Sequence, residues 1–322
     1  MAKYSEEVFR KAEAVLNARR ADAENRQKLR EAEICEKHPE IAKIRYELRN
    51  TGIRFMAVLK EARDISGRTE ELKQRNLDLQ KDQGDLLEAF TGDRDYLKTK
   101  YTCPVCNDTG FTNGKRCRCF DELLRSFASA QLTDDCGIAL HDFSEFRTDV
   151  YPNGGANSDR AYMQTLCENC IDYAEGFSLK SASLLFCGKT GLGKTLLSSC
   201  IAKKAAERGF SVAFGSVSVY LRKIEGEHFG REAGNTLSLL ESCDLLILDD
   251  LGSEFKTPFY DAVLYEIINS RINSHRPTII STNLSLAELN SNYNERIVSR
   301  LMGFYAPMMF RGNDVRQIIR NY

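Results

Sequence analysis

Three groups of residues in this 322-residue chain have the types and spacing to do chemistry. The first is Gly188-Lys189-Thr190-Gly191-Leu192-Gly193-Lys194-Thr195, which leaves the apolar run Leu184-Leu185-Phe186-Cys187 and opens into Leu196-Leu197-Ser198-Ser199. It matches the pattern G-x-x-x-x-G-K-[ST] in the strand–loop–helix setting that such a loop requires. The glycines let backbone N–H groups curl toward phosphate oxygens, and the N-terminus of the following helix adds a favourable dipole. Lys194 is expected to reach the β- and γ-phosphates of a nucleotide, and the Thr195 hydroxyl to ligate magnesium.

The second group lies further along. Asp244-Leu245-Leu246-Ile247-Leu248-Asp249-Asp250 reads as a buried strand ending in two acids. A P-loop enzyme needs an acid at a strand's C-terminal end to hold magnesium through water, the role expected of Asp249. Asp250 stands where a water-activating carboxylate belongs, and Glu254 offers a further carboxylate. Pro277-Thr278-Ile279-Ile280-Ser281-Thr282-Asn283 is another apolar strand with a polar end. Alone, Asn283 would read as a turn former; in this series it is expected near the attacking water, sensing the γ-phosphate.

The third group is Cys103-Pro104-Val105-Cys106 and Cys117-Arg118-Cys119, enclosing a loop that contains Asp108, Gly110 and Gly114. Two close thiolate pairs suit tetrahedral zinc in a closed, structural site. An iron–sulfur cluster accepts the same donors; the short loop and the lack of further ligands favour zinc, with reduced, metal-free cysteines as the plain alternative. Such a site would staple the junction between the N-terminal region and the remainder, since so short a segment has no core of its own. Cys167-Glu168-Asn169-Cys170 sits in helical sequence without a second pair and reads as structural.

These groups need elements to hold them. Residues 1 to about 100 are rich in Glu, Lys, Arg, Ala, Leu and Gln, a composition that favours helix. Breaks are expected at His38-Pro39 and Ser66-Gly67. Ile41, Ile44, Leu48, Phe55 and Leu59 recur at helical spacing, and Leu72, Leu79 and Leu86 recur as a heptad, predicting long helices packed as a hairpin or coiled coil. Residues 121 to about 178 read as helical, with a turn near Tyr151-Pro152-Asn153-Gly154-Gly155. Beyond them, apolar runs at Ser183–Cys187, Ser211–Gly215, Leu245–Leu248, Thr278–Ser281 and Ala306–Phe310 alternate with helical stretches such as Thr195–Arg208 and Tyr260–Ser274. That alternation predicts a parallel α/β sheet.

Apolar content of 42%, charged content of 28% and a formal net charge of −1 describe a globular protein whose overall balance announces neither a nucleic-acid nor a membrane partner. No apolar run approaches the ~20 residues needed to span a bilayer. The start, Met1-Ala2-Lys3-Tyr4-Ser5-Glu6-Glu7, lacks the apolar core of a signal peptide, so a cytoplasmic location is expected. Eleven cysteines, an odd number, argue against a secreted disulfide scaffold.

With the loop, the acidic strand end and Asn283 in order, residues from about 140 to 322 resemble the AAA+ helicase-loader family, the DnaC/DnaI/IstB group. The elements that carry the resemblance are GKTGLGKT, LLILDDLGSE, Arg276-Pro277-Thr278 leading into STNLSLAEL, and Glu295-Arg296-Ile297-Val298-Ser299-Arg300-Leu301. The resemblance implies an α/β P-loop core with sheet order 5-1-4-3-2 and bound ATP and Mg2+. It places Asn283 as sensor 1 and Arg300, rather than Arg296, as an arginine finger completing a neighbouring subunit's site. Arg316, in Gly312-Asn313-Asp314-Val315-Arg316, falls at the sensor 2 arginine that reads the γ-phosphate in cis. Asp249-Asp250 departs from the Asp-Glu usual in AAA+ proteins; aspartate is one methylene shorter, which implies a slow, switch-like ATPase. The expected organisation is a helical, partner-binding region over 1–100, a four-cysteine zinc module over 101–120, a helical linker and start of the core over 121–178, and the ATPase domain over 179–322.

The function implied is an ATP-dependent loader that grips a hexameric replicative helicase through its N-terminal region, places it on single-stranded DNA and self-associates through the Arg300 face. From Arg271 onward, seven arginines oppose three acids, consistent with phosphate contacts, although no aromatic–basic stacking platform is evident. Transposition helper or phage replication ATPase is the alternative. An ATP-responsive scaffold without turnover is a rival of another class. A small-molecule P-loop kinase fits less well, because no acceptor-binding lid is evident.

Overall fold

A computed structural model describes residues 4–60, 65–155 and 158–316. The chain divides into two compact units, one comprising Glu13–Cys117 and the other Met1–Ala12 with Arg118–Tyr322.

Three long helices dominate the first unit: α1 (Glu6–Lys37), whose opening turns belong to the second unit, α2 (Pro39–Lys60) and α3 (Ile65–Thr91). The break at His38-Pro39 is where the proline rule places it, with Pro39 starting α2. α2 ends at Lys60 and α3 begins at Ile65, so the helices part a few residues ahead of Ser66-Gly67, which themselves lie in the opening of α3; residues 61–64 lie outside the described residues. Ile34, Ile41, Leu87 and Leu97 form a small buried cluster with Leu86 against it. Leu79 is buried too, whereas Ile44, Leu48 and Leu72 are only half-buried. The side chains of Phe55 and Leu59 lie outside the described residues. Charge pairs across helices supplement this core, Arg45 to Glu31 at 2.7 Å and Arg75 to Glu47 at 2.8 Å. A two-stranded hairpin, β1 (Phe111–Thr112) and β2 (Lys115–Arg116), closes the unit.

In the second unit, α4 (Arg118–Asp135) and α5 (Asp159–Glu175) precede alternating strands and helices: β3 (Ser183–Cys187), α6 (Lys194–Glu207), β4 (Val212–Ser216), α7 (Val217–His228), α8 (Thr236–Ser242), β5 (Leu245–Leu251), α9 (Pro258–Asn273), β6 (Thr278–Thr282), α10 (Leu286–Asn292), α11 (Glu295–Phe304) and β7 (Tyr305–Met309). The five strands β3–β7 form a parallel sheet in the order β4-β5-β6-β3-β7. Numbered from β3 as strand one and read from the other edge, this is the expected 5-1-4-3-2. Leu245, Leu246 and Ile247 are fully buried because helices cover both faces, which is why the strands read as unbroken apolar runs.

Local signals fix the helix starts. Thr257 accepts from Tyr260 N ahead of Pro258, Ser285 and Glu288 make a capping box, and Asn294 accepts from Ile297 N. The opening turns of α1 pack within this unit: Val8 and Ala12 are buried, and Phe9 meets Phe120 edge-on with centroids 6.2 Å apart. Among the described residues no helix is long and apolar enough to cross a membrane.

Candidate nucleotide site and cysteine cluster

The loop from Gly188 to Thr195 joins β3 to α6, so its backbone is gripped at both ends by the sheet and the helix. Phe310 N donates to Cys187 O at 2.7 Å just before the loop, and the buried Tyr151 hydroxyl donates to Leu192 O at 3.0 Å within it. Gly193 caps α6 in the left-handed region at φ 83°, and any Cβ there would stand 2.6 Å from the Phe146 ring. Only glycine satisfies both demands. The loop lines a cleft of about 390 Å³ together with Asp249, Asp250, Ser281, Asn283 and Arg316.

Inside the cleft the polar groups form one connected set. The largely buried Lys194 ammonium donates to Gly188 O (2.6 Å), Lys189 O (2.8 Å) and Asn283 Oδ1 (2.6 Å). Burial holds its pKa below the usual lysine value, opposed by the charges of Asp249 and Asp250. Asn283 in turn donates from Nδ2 to Asp250 Oδ1 at 2.6 Å. Thr195 Oγ1 donates to Asp249 Oδ2 at 2.9 Å, and Ser281 Oγ donates to Asp249 Oδ1. Thr195 and Asp249 thus converge two hard oxygens beside the phosphate loop, a donor set that fits magnesium.

Asp249 and Asp250 sit at a register shift between Leu248 and Leu251 of β5, and Asp250 takes a left-handed φ of 58°. The irregularity turns both carboxylates into one cleft, where a regular strand would point them to opposite faces. Asp250 N donates to Ser281 Oγ at 2.9 Å, which fixes the turn. Glu254 is not available for water activation: it is buried, accepting from Gly252 N (2.9 Å) and from the Tyr293 hydroxyl.

Arg316 lines the cleft and forks onto Asp314. Arg300 does not line it. It lies on α11, half-buried, with Nε donating to Asn269 Oδ1 at 2.8 Å and the guanidinium 4.6 Å from the Tyr265 ring centroid. Arg296, one turn earlier, is exposed.

The arginine-rich C-terminal stretch does not act as one phosphate surface. Arg271 is fully buried, donating to Thr278 Oγ1 (2.8 Å), Leu240 O (2.7 Å), Cys243 O (2.9 Å) and Pro277 O. Arg276 pairs with Asp244, and Arg311 stacks 4.1 Å from the Tyr162 ring centroid. Arg320 lies outside the described residues. An aromatic–basic surface does exist elsewhere: Phe229 and Phe259 lie 5.8 Å apart beside His228, with the Arg231 guanidinium 5.6 Å from the Phe229 ring. Phe229 is 58% exposed. These side chains come from α7, its exit and α9, so only folding reveals the cluster.

Cys103, Cys106, Cys117 and Cys119 bring their sulfurs within 4.8 Å of one another. The Cys103 and Cys117 Sγ atoms are 3.8 Å apart, the edge of a tetrahedron with metal–sulfur bonds of about 2.3 Å. A disulfide would need about 2.05 Å, and none of the eleven cysteines forms one. Buried Asp108 accepts from Thr102 N (2.8 Å) and Cys103 N (2.9 Å), shaping the first turn, while the β1–β2 hairpin returns Cys117 to it. The geometry fits zinc. Cys167 and Cys170 are buried on α5 with thiol pKa values pushed up by burial, inert as expected.

Sheet order, phosphate loop and acidic strand end define a P-loop ATP-binding protein of the AAA+ class. The IstB-like ATP binding protein family matches residues 169–302. The replicative helicase loader DnaC of Buchnera aphidicola (Acyrthosiphon pisum, strain APS) is 29% identical over 152 residues, covering 46% of this chain and 62% of that protein. The loader DnaI of Bacillus subtilis (strain 168) is 26% identical over 150 residues, covering 42% and 48%. A crystal structure of the DnaC helicase loader aligns over 52% of this chain and 98% of that one, with 23% identity and a TM-score of 0.44. The chain thus spans less than two thirds of the length of these curated relatives. Residues 169–302 are similar to IstB-like ATP binding proteins, and the chain is similar to the replicative helicase loaders.

Proposed function

We propose that this protein is an ATP-controlled loader that engages a hexameric replicative helicase and helps place it on single-stranded DNA. One observation carries the switch-like part: Lys194, Asn283 and Asp250 are hydrogen-bonded in series across the cleft. A γ-phosphate that engages Lys194 takes one of its three N–H donors; release of Asn283, the side-chain acceptor among its partners, reports the phosphate to Asp250. Magnesium held by Thr195 and, through water, by Asp249 would neutralise phosphate charge. Asp250 orients the attacking water, with Asn283 fixing its carboxylate. Its short reach supports slow turnover.

Arg300 stands outside its own chain's cleft, which supports a role in trans: self-association through its face completes a neighbour's site, and such a finger is worth about 10³–10⁵ in rate. Arg316 reads the γ-phosphate in cis. Residues 1–100 serve as the partner-docking region and 101–120 as a zinc-stabilised module. The cluster of His228, Phe229, Phe259 and Arg231 is assigned to stacking on single-stranded DNA.

The test mixes full-length protein with the purified replicative helicase of the same organism and circular single-stranded DNA. ATP-dependent transfer of the helicase onto the circle is expected. Binding to a transposase with no transfer of helicase would favour the transposition-helper reading, to which the IstB-like family match gives weight.

A further inference from the structure

The segment that follows β7 lies across the phosphate loop, and one of its acids has no place in the scheme above. Gly312 turns at φ 119° with its Cα face against the Tyr151 ring, and Val315 is buried in the core. Val315 N donates to Gly191 O at 3.1 Å, anchoring the segment on the crown of the loop. With Val315 directed inward, the side chains on either side of it, Asp314 and Arg316, stand at the mouth of the cleft.

The Asp314 carboxylate rests directly on Gly191. A Cβ added to Gly191 would lie 1.8 Å from Asp314 Oδ1 and 2.2 Å from its Cγ, so the carboxylate fills the space a side chain there would need. Gly191, at φ 80°, therefore serves both the loop's curvature and the approach of this anion. Asp314 also holds Arg316: Oδ1 accepts from Arg316 N (3.0 Å) and Nε (3.2 Å), and Oδ2 accepts from the terminal guanidinium nitrogen (3.4 Å). The Arg316 guanidinium holds the Asp314 carboxyl below the usual carboxylate range, so the group is charged at neutral pH.

A negative charge on the rim of a loop built to receive negative phosphates is unfavourable for binding, and it occupies the very guanidinium that the phosphate needs. We propose that Asp314 is an affinity-tempering counter-charge: it holds Arg316 in the nucleotide-free site and surrenders it only to a ligand carrying a γ-phosphate. Guanidinium pairs more strongly with the multiply charged phosphate chain of ATP than with one carboxylate. ADP, lacking the terminal group, leaves Arg316 on Asp314. The loop then binds ATP less tightly than it could while ADP is little affected, so the ion pair narrows the gap between the two nucleotides, as suits a site that must exchange one for the other.

This inference rests on the reading of the cleft as a nucleotide site, and the test separates the two. Binding of Mg·AMP-PNP and Mg·ADP to full-length protein is measured by calorimetry at low and at 0.5 M salt for wild type, Asp314→Asn, Arg316→Ala and the double variant. Asp314→Asn is expected to tighten AMP-PNP binding about threefold to fivefold at low salt, the scale of an exposed ion pair. The gain should be smaller for ADP, shrink at high salt, and fall in the Arg316→Ala background. Unchanged or weaker AMP-PNP binding by Asp314→Asn, or an equal gain in the absence of Arg316, overturns the counter-charge role alone. No binding of either nucleotide to wild type overturns the nucleotide-site reading, and this proposal with it.

Discussion

The two units solve different physical problems with different materials. The sheet-bearing unit buries its central strands on both faces and holds two buried cations in closed sets, Arg271 against the carbonyls of Leu240, Cys243 and Pro277, and Lys194 against those of Gly188 and Lys189. Among its described residues, the helical unit has a small buried cluster around Ile34, Ile41, Leu87 and Leu97, supplemented by surface pairs and by Cys103, Cys106 and Cys117 of the cysteine cluster. A loop that must hold phosphates to within fractions of an ångström needs a rigid, over-determined frame. A surface that must fit a partner tolerates a looser one. Where a core is thin, a bound metal can replace it, and the four clustered cysteines have the geometry to hold one.

That comparison breaks first at the metal. Removing zinc by chelation, or replacing Cys106 and Cys117 with Ser, should abolish the local fold around residues 103–119, since such sites contribute on the order of 10 kcal/mol. Metal analysis should give one zinc per chain in wild type and none in the variant. ATP binding should persist, because no cysteine of the cluster lines the cleft. Next in size is Arg271→Ala, which leaves buried carbonyls without donors and should cost about 4 kcal/mol in denaturant unfolding. The smallest effect belongs to the arm: Arg75→Ala, which removes an ion pair with a 59% exposed arginine, should cost at most about 1 kcal/mol. A loss from Arg75→Ala as large as that from Arg271→Ala would erase the distinction between the units.

What was legible in the sequence follows the same division. All five parallel strands could be read to within a few residues: burial on both faces makes the central ones continuous apolar runs, and β7, mostly exposed at the edge, still reads as apolar from Ala306 to Phe310. The phosphate loop was equally plain, since its chemistry is contiguous. The twist that turns Asp249 and Asp250 into one cleft was not, because a bulge depends on the register of the neighbouring strand. Ser281, which accepts from Asp250 N and donates to Asp249, carried a signal in the polar end of β6, where Asn283 alone drew attention. Counting arginines beyond Arg271 misjudged that residue, since composition does not reveal burial. His228, Phe229 and Phe259 are brought together by two different helices, a convergence that no local pattern encodes. Asp314 was visible only as a neighbour of Arg316 until the segment was found lying on Gly191.

The central claim is that one chain binds the nucleotide and its neighbour decides when it is used. Full-length wild type, Lys194→Ala and Arg300→Ala should be compared for ATP binding and for turnover as protein concentration rises, with Arg300→Ala also mixed into wild type. Lys194→Ala should weaken binding by about 100-fold or more, through loss of a buried charge-assisted contact. Arg300→Ala should bind ATP as wild type does, lose the concentration-dependent rise in turnover, and depress turnover when mixed with wild type. Equal loss of binding in both variants, or undiminished turnover in Arg300→Ala, would contradict the account.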